Sequence, residues 1–69
     1  MRKFALYNPS LDQYVSYLLY NRKTKSYDIE YTRNVYAIRF WNLRSSAEAQ
    51  AQRVFSWNRG IALEVQELK

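Results

Sequence analysis

The chain has 69 residues, with no cysteine, no histidine, one glycine and one proline. That is one domain, 1–69, because domains rarely fall below about 50 residues. The missing residue types exclude disulfides and zinc, haem or iron–sulfur centres, so no cofactor is expected and the fold rests on apolar packing. A chain this short buries only about 60% of the surface its unfolded form exposes, which makes for a thin core. Hydrophobic residues at 48% and aromatics at 17% still mark a folded protein. Seven tyrosines suit half-buried strands and interfaces. The formal charge of +5 favours a polyanionic partner, or reflects scattered surface cations and nothing more.

No segment reads as a membrane span. Arg2-Lys3 before Phe4-Ala5-Leu6-Tyr7 has the charge order of a secretory signal, but the apolar stretch is short and Asn8-Pro9 breaks it. The longest apolar runs fall far below the ~20 residues a membrane helix needs. The expected location is the cytoplasm.

Residues 3–7 alternate as a short strand, with Phe4 and Leu6 on one face and Lys3, Ala5 and Tyr7 on the other. Asn8-Pro9-Ser10 is a turn, opened by the Asn side chain and by the preset φ of Pro. Residues 14–20 form a second strand, in which simple alternation sets Val15, Tyr17 and Leu19 against Tyr14, Ser16, Leu18 and Tyr20. Residues 21–26 make a basic hairpin loop carrying Arg22, Lys23 and Lys25. In the third strand, 27–32, Tyr27, Ile29 and Tyr31 oppose Asp28, Glu30 and Thr32.

After Arg33-Asn34, residues 35–41 read as a fourth strand, with Tyr36, Ile38 and Phe40 opposite Val35, Ala37, Arg39 and Trp41. Ser45-Ser46-Ala47-Glu48 has the capping-box spacing, with Ser45 as N-cap of a helix over 46–58. Ala47, Ala51, Val54 and Phe55 form its apolar stripe. Gly60 falls where a left-handed C′ residue is wanted. In 61–68, Ile61, Leu63 and Val65 point inward. The order β-β-β-β-α-β predicts an α+β fold: a small antiparallel sheet of four to five strands with one helix packed on one face. A β-α-β passage there should cross right-handed if its strands run parallel.

Catalysis finds few tools. Without histidine there is no Ser-His pair and the commonest general base is missing. One glycine cannot make a phosphate-cradling loop. Asp28 and Glu30 share a strand face that could hold magnesium, but a solvated face accounts for them as well. Glu30-Tyr31-Thr32 and Glu64-Val65-Gln66 lack the lysine of an Asp…Glu-x-Lys nuclease core. The chain reads as a non-enzyme.

One helix covers one face of a sheet. On this alternation the core takes Phe4, Leu6, Val15, Tyr17, Leu19, Ile29, Tyr31, Ile38, Phe40 and Phe55. The open face shows Tyr7, Tyr14, Leu18, Tyr20, Arg39 and Trp41, with Lys3 and the loop cations Arg22, Lys23 and Lys25 as a basic rim. Three readings of that face stand side by side. Tyr and Trp could stack single-stranded bases. The same residue types are preferred anchors at protein interfaces. The rings could also pack on one another or on a second copy in a homodimer. The aromatic motif of RNA-recognition sheets is absent, since Val35-Tyr36-Ala37-Ile38-Arg39-Phe40-Trp41 does not match it.

The run Ala37-Ile38-Arg39-Phe40, the Ser45-Ser46-Ala47-Glu48-Ala49 helix start and the Ala62-Leu63-Glu64-Val65 strand give the chain a further likeness. In layout it resembles small accessory proteins of bacteriophages and prophages, of the host-takeover or anti-defence (anti-CRISPR-like) type. The likeness spans most of the chain, is compositional and carries no family site residues. It implies an inhibitor acting in the host cytoplasm, which occludes a host protein or nucleoprotein complex. Charge mimicry of DNA is disfavoured, because the chain is basic.

Overall fold

The computed structural model describes residues 2–68. Three strands, β1 (Lys3–Asn8), β2 (Gln13–Asn21) and β3 (Ser26–Thr32), make two successive antiparallel hairpins, and β4 (Glu64–Leu68) returns antiparallel to β1. The sheet order is β3-β2-β1-β4. Helix α1 (Arg44–Trp57) packs on one face. This is the α+β architecture expected from the sequence, with four strands, and all pairs antiparallel. No helix among the described residues is long and apolar enough to cross a membrane.

The turns form as their side chains dictate. Asn8 Oδ1 accepts from the Ser10 amide at 3.0 Å, and the Leu11 amide donates to the Asn8 carbonyl. Asn21 Oδ1 likewise takes the amides of Lys23 and Thr24, closing the loop that presents Arg22, Lys23 and Lys25. Phe4, Leu6, Val15 and Leu18 meet Ala47 and Val54 of α1 in the core, with Tyr27, Ile29, Tyr31, Trp41, Ile61, Leu63 and Val65 packed around them. Complete burial of Leu6, Val15 and Val54 stabilises by about 1.5–3 kcal/mol each.

The facing of β2 departs from simple alternation. Val15 pairs with Tyr31, but Tyr17 pairs with Glu30, so Ser16 is an extra residue in a β-bulge. One extra residue flips the parity of everything after it. Leu18 and Tyr20 therefore turn toward the helix, while Tyr17 and Leu19, expected in the core, lie on the outer face.

The expected fourth strand is replaced by a 3-10 turn, Val35–Ala37, capped by the Asn34 side chain, and a short extended segment. That segment enters the sheet itself. β1 and β2 pair only near their turn, at Tyr7 with Tyr14 and Asn8 with Gln13. Below that point they part, and residues 38–41 fill the gap. The Arg39 amide donates to Val15, and Phe4 and Trp41 exchange both backbone hydrogen bonds at 2.8 Å. Trp41 thus shares the helix-side face of Phe4, and Phe40 the opposite one.

The helix begins earlier than its capping box. Arg44 is the first helical residue and Leu43 the N-cap, with no side-chain hydrogen bond, so Ser45 sits inside the first turn. The Arg44 guanidinium stacks 5.1 Å over the Phe4 ring, which ties this start to the core. Val54 is buried as expected, but Phe55 is 55% exposed. At the other end Arg59 takes the left-handed C′ position (φ 53°), and Gly60 (φ 82°) follows, its amide closing onto the Phe55 carbonyl. Residues 61–63 pack irregularly before β4 starts at Glu64.

Candidate interaction surface

Among the described residues no helix covers the face of the sheet away from α1. Cross-strand register places Asp28, Glu30 and Thr32 of β3, Tyr14, Tyr17 and Leu19 of β2, Lys3, Ala5 and Tyr7 of β1, and Glu64 and Gln66 of β4 upon it. Phe40 joins them, with the Lys3 ammonium 5.1 Å above its ring. Ala5 is nonetheless fully buried. Tyr14 reaches from β2 across β1 to Gln66 of β4, its hydroxyl donating to Oε1 at 2.7 Å. The Tyr7 ring lies 5.1 Å from that of Tyr14, and its hydroxyl donates to Asp12. That bond, with some desolvation and the nearby Asp12 charge, raises the Tyr7 pKa above the usual tyrosine value.

The β2 part of this face is apolar and open, whereas Ala5 and Ile38, the latter buried as the sequence predicts, are closed off outside the helix-side cluster. Leu19 is 56% exposed and Tyr17 is 41% exposed, next to the ordered Tyr7–Tyr14 pair. Its charged border carries three carboxylates, Glu30 opposite Tyr17, Asp28 opposite Leu19 and Glu64 opposite Tyr7, while Lys3 stands beside Phe40 and the Arg33 guanidinium donates to the Leu11 and Asp12 carbonyls near Tyr7. Asp28 and Glu30 share the face, as the sequence predicts, but no group of three or more metal-ligating side chains forms among the described residues.

The sequence-predicted site divides between the two layers. Tyr7, Tyr14 and Lys3 occupy the open face. Tyr20 does not: after the bulge it turns inward, its ring 5.3 Å from Tyr27 and 5.9 Å from Trp57 of α1. Trp41 packs against the core, and the Arg39 guanidinium lies 5.1 Å over its ring on the same side. Leu18 is buried in the core. Arg22, Lys23 and Lys25 form the exposed hairpin tip where the sequence set them.

Sequence reasoning missed Tyr17, Leu19 and Phe40 on this face, and it missed Tyr36, 95% exposed on the 3-10 turn. In the run Tyr14 to Tyr20 both alternating sets are apolar, so periodicity holds no parity information. Ser16, the one small polar residue in that run, is the only local mark of the bulge. No protein-family model, curated protein or solved structure matches this chain.

Proposed function

We propose that this chain is a non-enzymatic binding protein that docks through the uncovered sheet face and occludes the surface of a protein partner. The observation that carries the reading is the exposure of Tyr17, Leu19 and Phe40 on this one face, all more than a third exposed in so small a domain. Exposed apolar patches rimmed by polar groups mark contact surfaces. Tyr7 and Tyr14 are already fixed by hydrogen bonds to Asp12 and Gln66, which lowers the entropy lost on docking.

The carboxylates of Asp28, Glu30 and Glu64 define the complement: an apolar patch bordered by Lys or Arg. Following the likeness to phage accessory proteins, the partner is a host protein or nucleoprotein complex, met in the host cytoplasm. The carboxylates disfavour the single-stranded nucleic-acid reading, because phosphates are repelled by the Asp28 and Glu30 charges that stand opposite Leu19 and Tyr17.

The test is capture of the partner from nuclease-treated host lysate, followed by calorimetry with the purified partner. Leu19→Lys and Tyr17→Ser are expected to weaken binding about 30-fold or more, as loss of a central anchor does, with the melting temperature unchanged. Equal affinity for parent and both variants places the interface elsewhere.

A further inference from the structure

The two edges of the sheet are not equivalent. On β3 the Asn58 carboxamide accepts from the Tyr27 amide at 2.8 Å and donates to the Tyr27 carbonyl at 2.9 Å. Tyr27 therefore turns its backbone groups away from β2, and Ile29 and Tyr31, at the same parity, do likewise. If two copies paired through Ile29 and Tyr31, Glu30 would stand directly opposite its own counterpart. Like charges at that position are destabilising. The Asn58 clamp and the carboxylates protect this edge.

The β4 edge has no such clamp, and its carboxylates, Glu64 and Glu67, need not oppose their own counterparts when two copies pair. Phe4 gives its amide and carbonyl to Trp41, on the β2 side of β1. Phe4 and Leu6 thus turn their backbone away from β4, and their partners Glu67 and Val65 point their own N–H and C=O groups outward. Nothing among the described residues takes those groups. Beside this edge runs a mainly apolar groove of about 380 Å³ between α1 and the segment entering β4, lined by Ala51, Gln52, Phe55, Ser56, Ala62 and Leu63.

We infer that a second copy of this chain covers that edge, the two β4 strands pairing antiparallel across a two-fold axis normal to the sheet. Pairing Val65 with Glu67 of the second copy, and the reverse, satisfies the outward N–H and C=O groups of Val65 and Glu67 on both edges. It sets Gln66 against Gln66 on the axis and Glu64 against Leu68, with no like charges opposed. The Gln66 oxygen is taken by Tyr14, and its NH2 group is left for its counterpart. The axis keeps both helices on one side of the joined sheet, so the two grooves and their exposed Phe55 rings flank the junction. The inference stands on backbone parity and does not depend on the role given to the uncovered face.

Sedimentation equilibrium and residue-resolved amide exchange on the full chain test it. The expected mass rises with concentration toward twice 8.4 kDa. Over the same range the Val65 and Glu67 amides slow at least about tenfold, while Ile29 and Tyr31 stay fast. Gln66→Glu keeps an acceptor for Tyr14 but sets two carboxylates face to face. Glu67→Pro removes an outward N–H and, with it, the exposed carboxylate that pairs with Arg2 at 3.5 Å, a surface contact of small weight. Each is expected to weaken the dimer about tenfold or more, with the monomer's melting temperature preserved. The inference is overturned by a monomer up to about 1 mM, by a dimer that leaves the Val65 and Glu67 amides unprotected, or by both variants dimerising like the parent.

Discussion

Asn58 provides a sharp test of how the layers are joined. Its side chain holds the helix C-terminus to β3 by imitating one residue of a neighbouring strand, accepting at 2.8 Å and donating at 2.9 Å. Each such hydrogen bond contributes about 1 kcal/mol net. Both Asn58 and Tyr27 are half-buried at a sheet edge, so water replaces the lost partner and little desolvation penalty is added. Asn58→Ala is therefore expected to cost about 2 kcal/mol, or roughly 8–16 °C in melting temperature for a domain this small. Asn58→Asp separates the two bonds. It keeps an acceptor for the Tyr27 amide but turns a second oxygen toward the Tyr27 carbonyl, so it should lose stability at neutral pH. It should regain part of that as the pH falls through about 4, where the protonated acid can donate again. Denaturation followed by circular dichroism gives the energies, and exchange at the Tyr27 amide gives the local effect. A shift below about 2 °C with Tyr27 still protected would refute the clamp.

Leu6→Ala, at a fully buried position, is expected to cost about 3–5 kcal/mol, most of the roughly 3–10 kcal/mol such a domain has. Phe40→Ala on the open face should cost under about 2 kcal/mol; chemical denaturation ranks the two, and equal losses would return Phe40 to the core. Leu43→Ser supplies the missing helix cap and should add about 1 kcal/mol, while Ser45→Ala should change stability by less than about 0.5 kcal/mol. Raised melting of the first beside unaltered melting of the second checks the N-cap assignment. The folded state holds the Tyr7 proton more tightly than the unfolded state does. Its contribution is complete below about pH 10 and is lost as the pH rises through the folded-state value. Tyr7→Phe should therefore flatten the alkaline decline in stability, and parallel declines would show that the bond to Asp12 does not matter.

Where polar and apolar residues truly alternate, the sequence carries the structure. Tyr27, Ile29 and Tyr31 face the core against Asp28 and Glu30 as their spacing requires. Asn8 and Asn21 close their turns by local hydrogen bonds that need no tertiary context. What was not legible depends on contacts made far along the chain. Residues 35–41 have strand composition, yet what they complete is the gap between β1 and β2, which no local pattern describes. The capping box at Ser45 and Glu48 is a sound local signal, overridden by Arg44 stacking on Phe4. For the candidate surface, Tyr7 and Tyr14 were readable because they precede the bulge. Tyr20 lies beyond it, so the error at Ser16 carried it, with Tyr17 and Leu19, to the wrong side.

The segment that fills the sheet also sets an order of events. β1 is the first strand in the chain, but its two flanks come from distant stretches: Trp41 on one side and residues 64–68 on the other. The β2–β3 hairpin needs only a short loop closure, whereas sealing β1 must wait for both remote segments and bear their larger chain entropy. A nascent chain that has emerged only as far as β3 therefore holds Phe4 and Leu6 exposed beside a half-open hairpin. The first strand becomes the last to be locked, and the indole of Trp41, docking beside Phe4, reports that closing step by its fluorescence once Trp57, the second indole of the chain, is replaced by Phe.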